Sequence, residues 1–289
     1  MLAMFVMMIA VQAGALLITP TMSDAGYTAF EDPGAFENIL YFIIILLVFT
    51  AIMLTLIKYG FKSILGYIIA ISIFFVFVYI FSAITGLLIE SELTVSLLTL
   101  LLSAAAIILL YKYPEWYVID ILGILICAGA ASIFGISLEV FPVIILLVIL
   151  AAYDAISVYK TKHMISLAEG VINSKSPILV VIPKSRDYSY MKDDMNISEG
   201  KEERGAFIMG MGDLIMPSIL VVSAYAFIDT SFLPVAGAMA GSLAGLAVLL
   251  WFVVKGRPQA GLPTLNGGAI LGFIIGCLAA GTWGWIPFL

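Results

Sequence analysis

The chain has 289 residues, of which 63% are hydrophobic and only 11% charged. Soluble domains carry about 25% charged residues, so this is the composition of a multi-span membrane protein. The net charge of −6 describes its loops and offers no basic surface, so a lipid bilayer is the expected environment and no nucleic-acid partner is expected.

A bilayer core of ~30 Å needs about 20 apolar residues in a helix. Runs that meet this are 1–19, 39–57, 63–88, 95–112, 117–135, 139–159, 205–228, 231–254 and 267–287. The runs are continuous and do not alternate as barrel strands would, so helices are predicted. Residues 1–19 lack a basic n-region and an obvious cleavage site, which predicts a retained span and not a signal peptide. The expected fold is an all-α membrane protein of nine transmembrane helices. Three segments follow: 1–159 with helices one to six, a cytoplasmic loop 160–204, and 205–289 with helices seven to nine. Cys127 and Cys277 both fall in apolar runs and read as small buried hydrophobes, not a disulfide.

Charge tests the count. Nine spans put Lys58, Lys62, Lys112, the loop 160–204, Lys255 and Arg257 on one side, and these hold all 13 Lys and Arg. The other side holds Asp24, Glu31, Asp32, Glu37, Glu90, Glu92 and Asp229, with Glu139 at its edge and no basic residue. The positive-inside rule then places the N-terminus in the cytoplasm and the C-terminus outside. Trp116, Tyr117, Trp251, Trp283 and Trp285 sit near span ends, as an aromatic belt requires. In the loop, Met164, Ile165, Leu167, Ala168, Val171 and Ile172 recur at helical spacing beside Lys160, Lys162 and His163, which predicts an interfacial amphipathic helix. Ile178 to Ile182, between Pro177 and Pro183, reads as a short strand, and Lys184 to Arg204 as a mobile polar stretch.

Three acidic residues fall within spans: Asp120, Asp154 and Asp213. Asp120 lies four residues past Trp116, ~6 Å from the belt, where interfacial water can solvate it. Asp154 precedes Lys160 by ~9 Å of helix, and Asp213 follows Arg204 by ~13.5 Å. On consecutive antiparallel spans, these two carboxylates lie at similar depth in the cytoplasmic half. A carboxylate at membrane depth costs roughly 2.5–3.5 kcal/mol on insertion scales, which marks it as functional. Two carboxylates about 3 Å apart share a proton and titrate as a pair. The ionised member can deprotonate water while the other polarises a carbonyl, which is general acid–base hydrolysis of a peptide bond. Other chemistries are poorly supplied. The sole histidine, His163, is in the loop, H-E-x-x-H is absent, and no metal or cofactor is expected. Gly210 and Gly212 remove side chains beside Asp213 and allow a second backbone to approach, although Gly-x-Gly also serves plain helix packing. Pro217 loosens the helix four residues after Asp213. Paired intramembrane carboxylates also suit a proton- or cation-coupled transporter or channel, and that is the alternative reading.

Tyr153-Asp154 and Gly210-Met211-Gly212-Asp213 resemble the YD and GxGD signatures of presenilin and signal peptide peptidase. The resemblance covers essentially the whole chain and implies nine spans, with catalytic aspartates on the sixth and seventh; here Asp154 and Asp213 occupy those spans. The family carries Pro-Ala-Leu at the start of the ninth span. This chain has Ala260-Gly261-Leu262-Pro263, so Leu262 and Pro263 fit while Ala260 and Gly261 depart from the substrate-positioning motif. Prepilin peptidases also use GxGD, but their basic residue is missing from Asp213-Leu214-Ile215-Met216. With its N-terminus inside, the chain is similar to a compact, archaeal-type presenilin homologue able to act without partner subunits. The resemblance implies an intramembrane aspartyl endopeptidase acting on transmembrane-helix substrates, in the plasma membrane if the source is a prokaryote. Nothing in the residues specifies an oligomeric state.

Overall fold

A computed structural model describes residues 1–161, 179–185, 188–190, 205–255 and 259–287. Among these, nine α-helices appear in order: α1 (Leu2–Asp24), α2 (Glu37–Lys58), α3 (Lys62–Leu88), α4 (Glu92–Lys112), α5 (Trp116–Ser137), α6 (Val140–Ile156), α7 (Met211–Phe227), α8 (Leu233–Val254) and α9 (Gly261–Ala280). A π-turn, Ser157–Thr161, extends α6. Strands β1 (Leu179–Pro183) and β2 (Ala206–Gly210) precede α7 as an antiparallel pair. Eight helices are long and apolar enough to cross a membrane, and α7 is a shorter apolar helix of 17 residues.

Several boundaries differ from the sequence expectation. The run 205–228 is not one helix, because its first residues form β2. An apolar stretch such as Ala206-Phe207-Ile208-Met209 suits strand or helix equally, and a partner strand decides between them. Strand backbone is tolerable here because β1 pairs one edge of β2 and β2 lines a cavity within the protein. The strand expected at Ile178–Ile182 is present at Leu179–Pro183. The last helix begins at Gly261 and not at 267, since Pro263 in its first turn needs no N–H partner there. It ends at Gly281, whose left-handed φ of 70° closes the helix. The interfacial helix expected over 164–172 lies outside the described residues. Within the stretch expected to be mobile, Tyr190 is instead fully buried.

Two apolar clusters organise the bundle. One joins α1, α3, α5, the β-pair and the start of α7; the other joins α6, α7, α8 and α9. Cys127 and Cys277 are free and buried, one in each cluster. The closest helix pair is α8 with α9. Gly237, Gly241 and Gly245 on α8 meet Gly272, Gly268 and Thr264 on α9 backbone to backbone, in antiparallel order. A Cβ added at any of these three α8 positions would overlap a carbonyl of α9. Lipid gives no hydrophobic drive between spans, so close backbone contact supplies van der Waals attraction that bulkier residues would forfeit. This pairing fixes where the first turn of α9 sits.

Gly241→Ala is therefore expected to lower the stability of the detergent-solubilised protein by about 1–3 kcal/mol. Gly66→Ala, where an added Cβ meets nothing within 4 Å, should be neutral or slightly stabilising. Thermal unfolding midpoints compare the two, and equal midpoints would contradict the close α8–α9 contact.

Candidate active site

The last turn of α6 and the first turns of α7 and α9 converge. Asp154 is only 3% exposed. Its Oδ2 accepts the Leu262 N–H at 3.0 Å, and the Gly261 amide lies beside it. The first amides of a helix have no intrahelical acceptor and sit at the positive end of the helix dipole, so α9 presents a ready donor pair to a carboxylate. Asp154 Oδ1 is buried with no hydrogen-bond partner among the described residues.

Asp213 lies in the first turn of α7, with Gly210 as the N-cap residue. Extended backbone at Gly210 ends β2 and starts the helix within one residue. The Gly210 amide faces the Asp213 carboxylate, a side chain reaching back from the third helical position to the cap. Pro217 has no N–H to offer the carbonyl of Asp213 four residues earlier. The Asp213 carboxylate packs on Gly261: a Cβ there would stand 2.9 Å from Oδ1 and 3.1 Å from Cγ and Oδ2. The two carboxylates thus meet the same Gly261–Leu262 segment.

The other expected site residues divide. Met211 is buried, its methyl pressed on Gly123 of α5 and its carbonyl accepting the Cys127 thiol at 3.8 Å. Gly212 is exposed, and a Cβ on it would meet nothing within 4 Å among the described residues; at Gly210 it would meet only Asp213 Oδ2, at 3.7 Å. Among the described residues neither glycine of the motif meets a close backbone neighbour, contrary to the expectation; the closely packed glycine at this site is Gly261, and what it meets is the Asp213 carboxylate. Tyr153 is 42% exposed and turns away from buried Asp154. Ala260, the N-cap residue of α9, is buried, while Leu262 and Pro263 complete the first turn.

Sequence reasoning missed two residues that hold this corner. Asn266 is fully buried on α9, and its Nδ2 donates to the Leu147 carbonyl of α6 at 3.1 Å. Tyr159, in the π-turn, donates its hydroxyl to Gln259 Oε1 at 2.5 Å, just ahead of α9. An amide in an apolar run was a readable signal for Asn266; the Tyr159 contact crosses 100 residues and had none. Beside the pair lies a cavity of about 180 Å³, lined by β2, Met4 of α1, Leu246, Leu249 and Leu250 of α8, and Asp213. No group of three or more His, Cys, Asp or Glu among the described residues could hold a metal.

The family profile described as "Signal-peptide peptidase, presenilin aspartyl protease" matches residues 3–282. A solved presenilin family intramembrane aspartate protease in space group C222 is 47% identical, covering 96% of this chain and 98% of that one, with a TM-score of 0.71. A presenilin family intramembrane aspartate protease in space group P2 is 48% identical, with 97% and 98% covered and a TM-score of 0.74. The search of curated proteins returned no match. Nothing in these likenesses favours a transporter. With its apolar helices, two carboxylates that converge on Gly261–Leu262 and a family match over residues 3–282, this chain belongs to the signal-peptide peptidase and presenilin family of intramembrane aspartyl proteases.

Proposed function

We propose that Asp154 and Asp213 are the catalytic pair, hydrolysing peptide bonds within or near transmembrane helices of membrane-protein substrates. The observation that carries this reading is the convergence of both carboxylates on Gly261–Leu262. One carboxylate takes a proton from water as its oxygen attacks the scissile carbonyl carbon. The other gives its proton to the carbonyl oxygen, forming a tetrahedral gem-diol. Proton transfer to the amide nitrogen then lets the C–N bond break, leaving a carboxyl and an amine. The roles belong to the pair, because strongly interacting carboxylates titrate as one unit. The unpartnered Asp154 Oδ1 is the atom that a shared proton, a water or the substrate carbonyl would satisfy.

A substrate helix must unwind before its carbonyl is open to attack, and its freed backbone groups then need partners. The free edge of β2 supplies them. Val181 and Ile208 oppose each other, and the Val181 N–H points away from β2. In an antiparallel ladder that makes them a non-hydrogen-bonded pair, so the N–H and C=O of Ile208 point away from β1 as well, and those of Ala206 likewise. No third strand covers that edge among the described residues. A substrate strand added there would run directly toward Asp213, with the open space over Gly212 beside it. Water would enter from the loop side, which the charge partition assigns to the cytoplasm.

Asp154→Ala and Asp213→Ala are each expected to lower cleavage of a purified single-span substrate by more than about 1,000-fold. Wild-type rates in either variant would sink the assignment. Gly261→Val should cost at least about 100-fold, by displacing the Asp213 carboxylate, with little change in the thermal unfolding midpoint. An active Gly261→Val protein would mean that Asp213 does not need its place against α9.

A further inference from the structure

Asp120 is the third carboxylate in an apolar span, and the chemistry above leaves it unused. Interfacial water was its expected partner. It is instead only partly exposed, and its Oδ1 accepts the N–H of Val181 at 2.9 Å. Val181 is the central residue of β1 and is fully buried.

A two-stranded sheet is marginal by itself and depends on what it packs against. Here the support is α5. Val180 and Val181 belong to the same apolar cluster as Ile119 and Ile126 of α5. The Asp120 carboxylate closes the outer edge of β1, the edge remote from β2. Five residues earlier, Glu115 accepts the Ser189 hydroxyl at 2.7 Å and the Tyr190 N–H at 3.2 Å. Carboxylates at the head of α5 thus tie down the loop at two points. The same helix also packs against α7 through Gly123 and Met211 and through Gly135 and Val222. One helix therefore sets both the height of the β-pair and the position of Asp213.

We propose that Asp120 is a positioning residue that sets the cleavage register. By capping β1 it fixes the ladder along its own axis, and so fixes which substrate carbonyl a strand on the free edge of β2 delivers to Asp154 and Asp213. This rests on the protease and strand-addition reading given above. The consequence is sharp because pairing slips by whole residues, and a one-residue slip turns every substrate side chain to the opposite face.

The test uses full-length protein in bicelles with a single-span substrate, and variants D120V, D120N and V181P. D120V removes the acceptor and D120N keeps one. V181P removes the donor without touching the ladder, because this N–H does not point at β2. Amide exchange over 179–183 reads the anchor without any need for activity. Product masses read the register, and initial rates separate KM from kcat. D120V should exchange in β1 roughly tenfold to a hundredfold faster, give products displaced by one or more residues, and raise KM more than it lowers kcat. V181P should shift the products in the same way, and D120N should restore both protection and the wild-type products. Unchanged exchange in D120V would overturn the anchor. Faster exchange with unshifted products in both D120V and V181P would overturn the register role. If the wild type yields no products from membrane substrates, the protease reading fails and takes the register role with it, while the exchange result still decides the anchor.

Discussion

The hydrogen bond from the Leu262 amide to Asp154 joins the start of α9 to a carboxylate in the last turn of α6, and the rest of the corner is arranged around it. It needs α9 to begin at Gly261, which Pro263 permits. It needs α9 at a fixed height, which the interlocked glycines of α8 and α9 provide. Asn266 ties α9 to α6 at Leu147, two turns before Asp154, and Tyr159 holds Gln259 at the mouth of the corner. A displacement of α9 by about 1 Å would break the hydrogen bond or drive Gly261 into Asp213, and misplacement of that size can cost about 100-fold in rate.

The glycines of this protein do two different jobs. On α8 and α9 they let backbones touch, and the helices hold their spacing because nothing larger fits. At the site, Gly261 makes room for a carboxylate, while a Cβ on Gly212 would meet nothing within 4 Å among the described residues. This gives a physical sense to the departure from Pro-Ala-Leu. With glycine at 261, Asp213 can lie directly against the first turn of α9, and Ala260 is its small buried N-cap residue, whose N–H faces the Tyr159 hydroxyl at 3.5 Å.

Much of this was legible in advance. Asp154 and Asp213 stood out because charge in an apolar run is costly, and the partition of Lys and Arg organised the spans around them. Helix length alone could not separate β2 from α7, because the strand depends on β1, which lies more than 20 residues earlier in the chain. The start of α9 was misplaced because Gly261 and Pro263 read as loop residues, although proline suits a first turn. The α8–α9 contact could have been read from glycines spaced by four on adjacent spans: 237, 241 and 245, then 268, 272 and 276. The partner of Asp120 could not, since Val181 is 61 residues away and local pattern carries no information about it.

In the proposed mechanism Asp154 and Asp213 act together on one scissile carbonyl, one on the attacking water and the other on the carbonyl oxygen. A structure with a hydroxyl-bearing transition-state isostere bound tests it most directly. The account predicts the isostere hydroxyl within hydrogen-bond reach, ~2.6–3.2 Å, of both carboxylates, with its backbone along the free edge of β2. A hydroxyl bound away from the pair, or held by one carboxylate while the other faces a separate site, would contradict it.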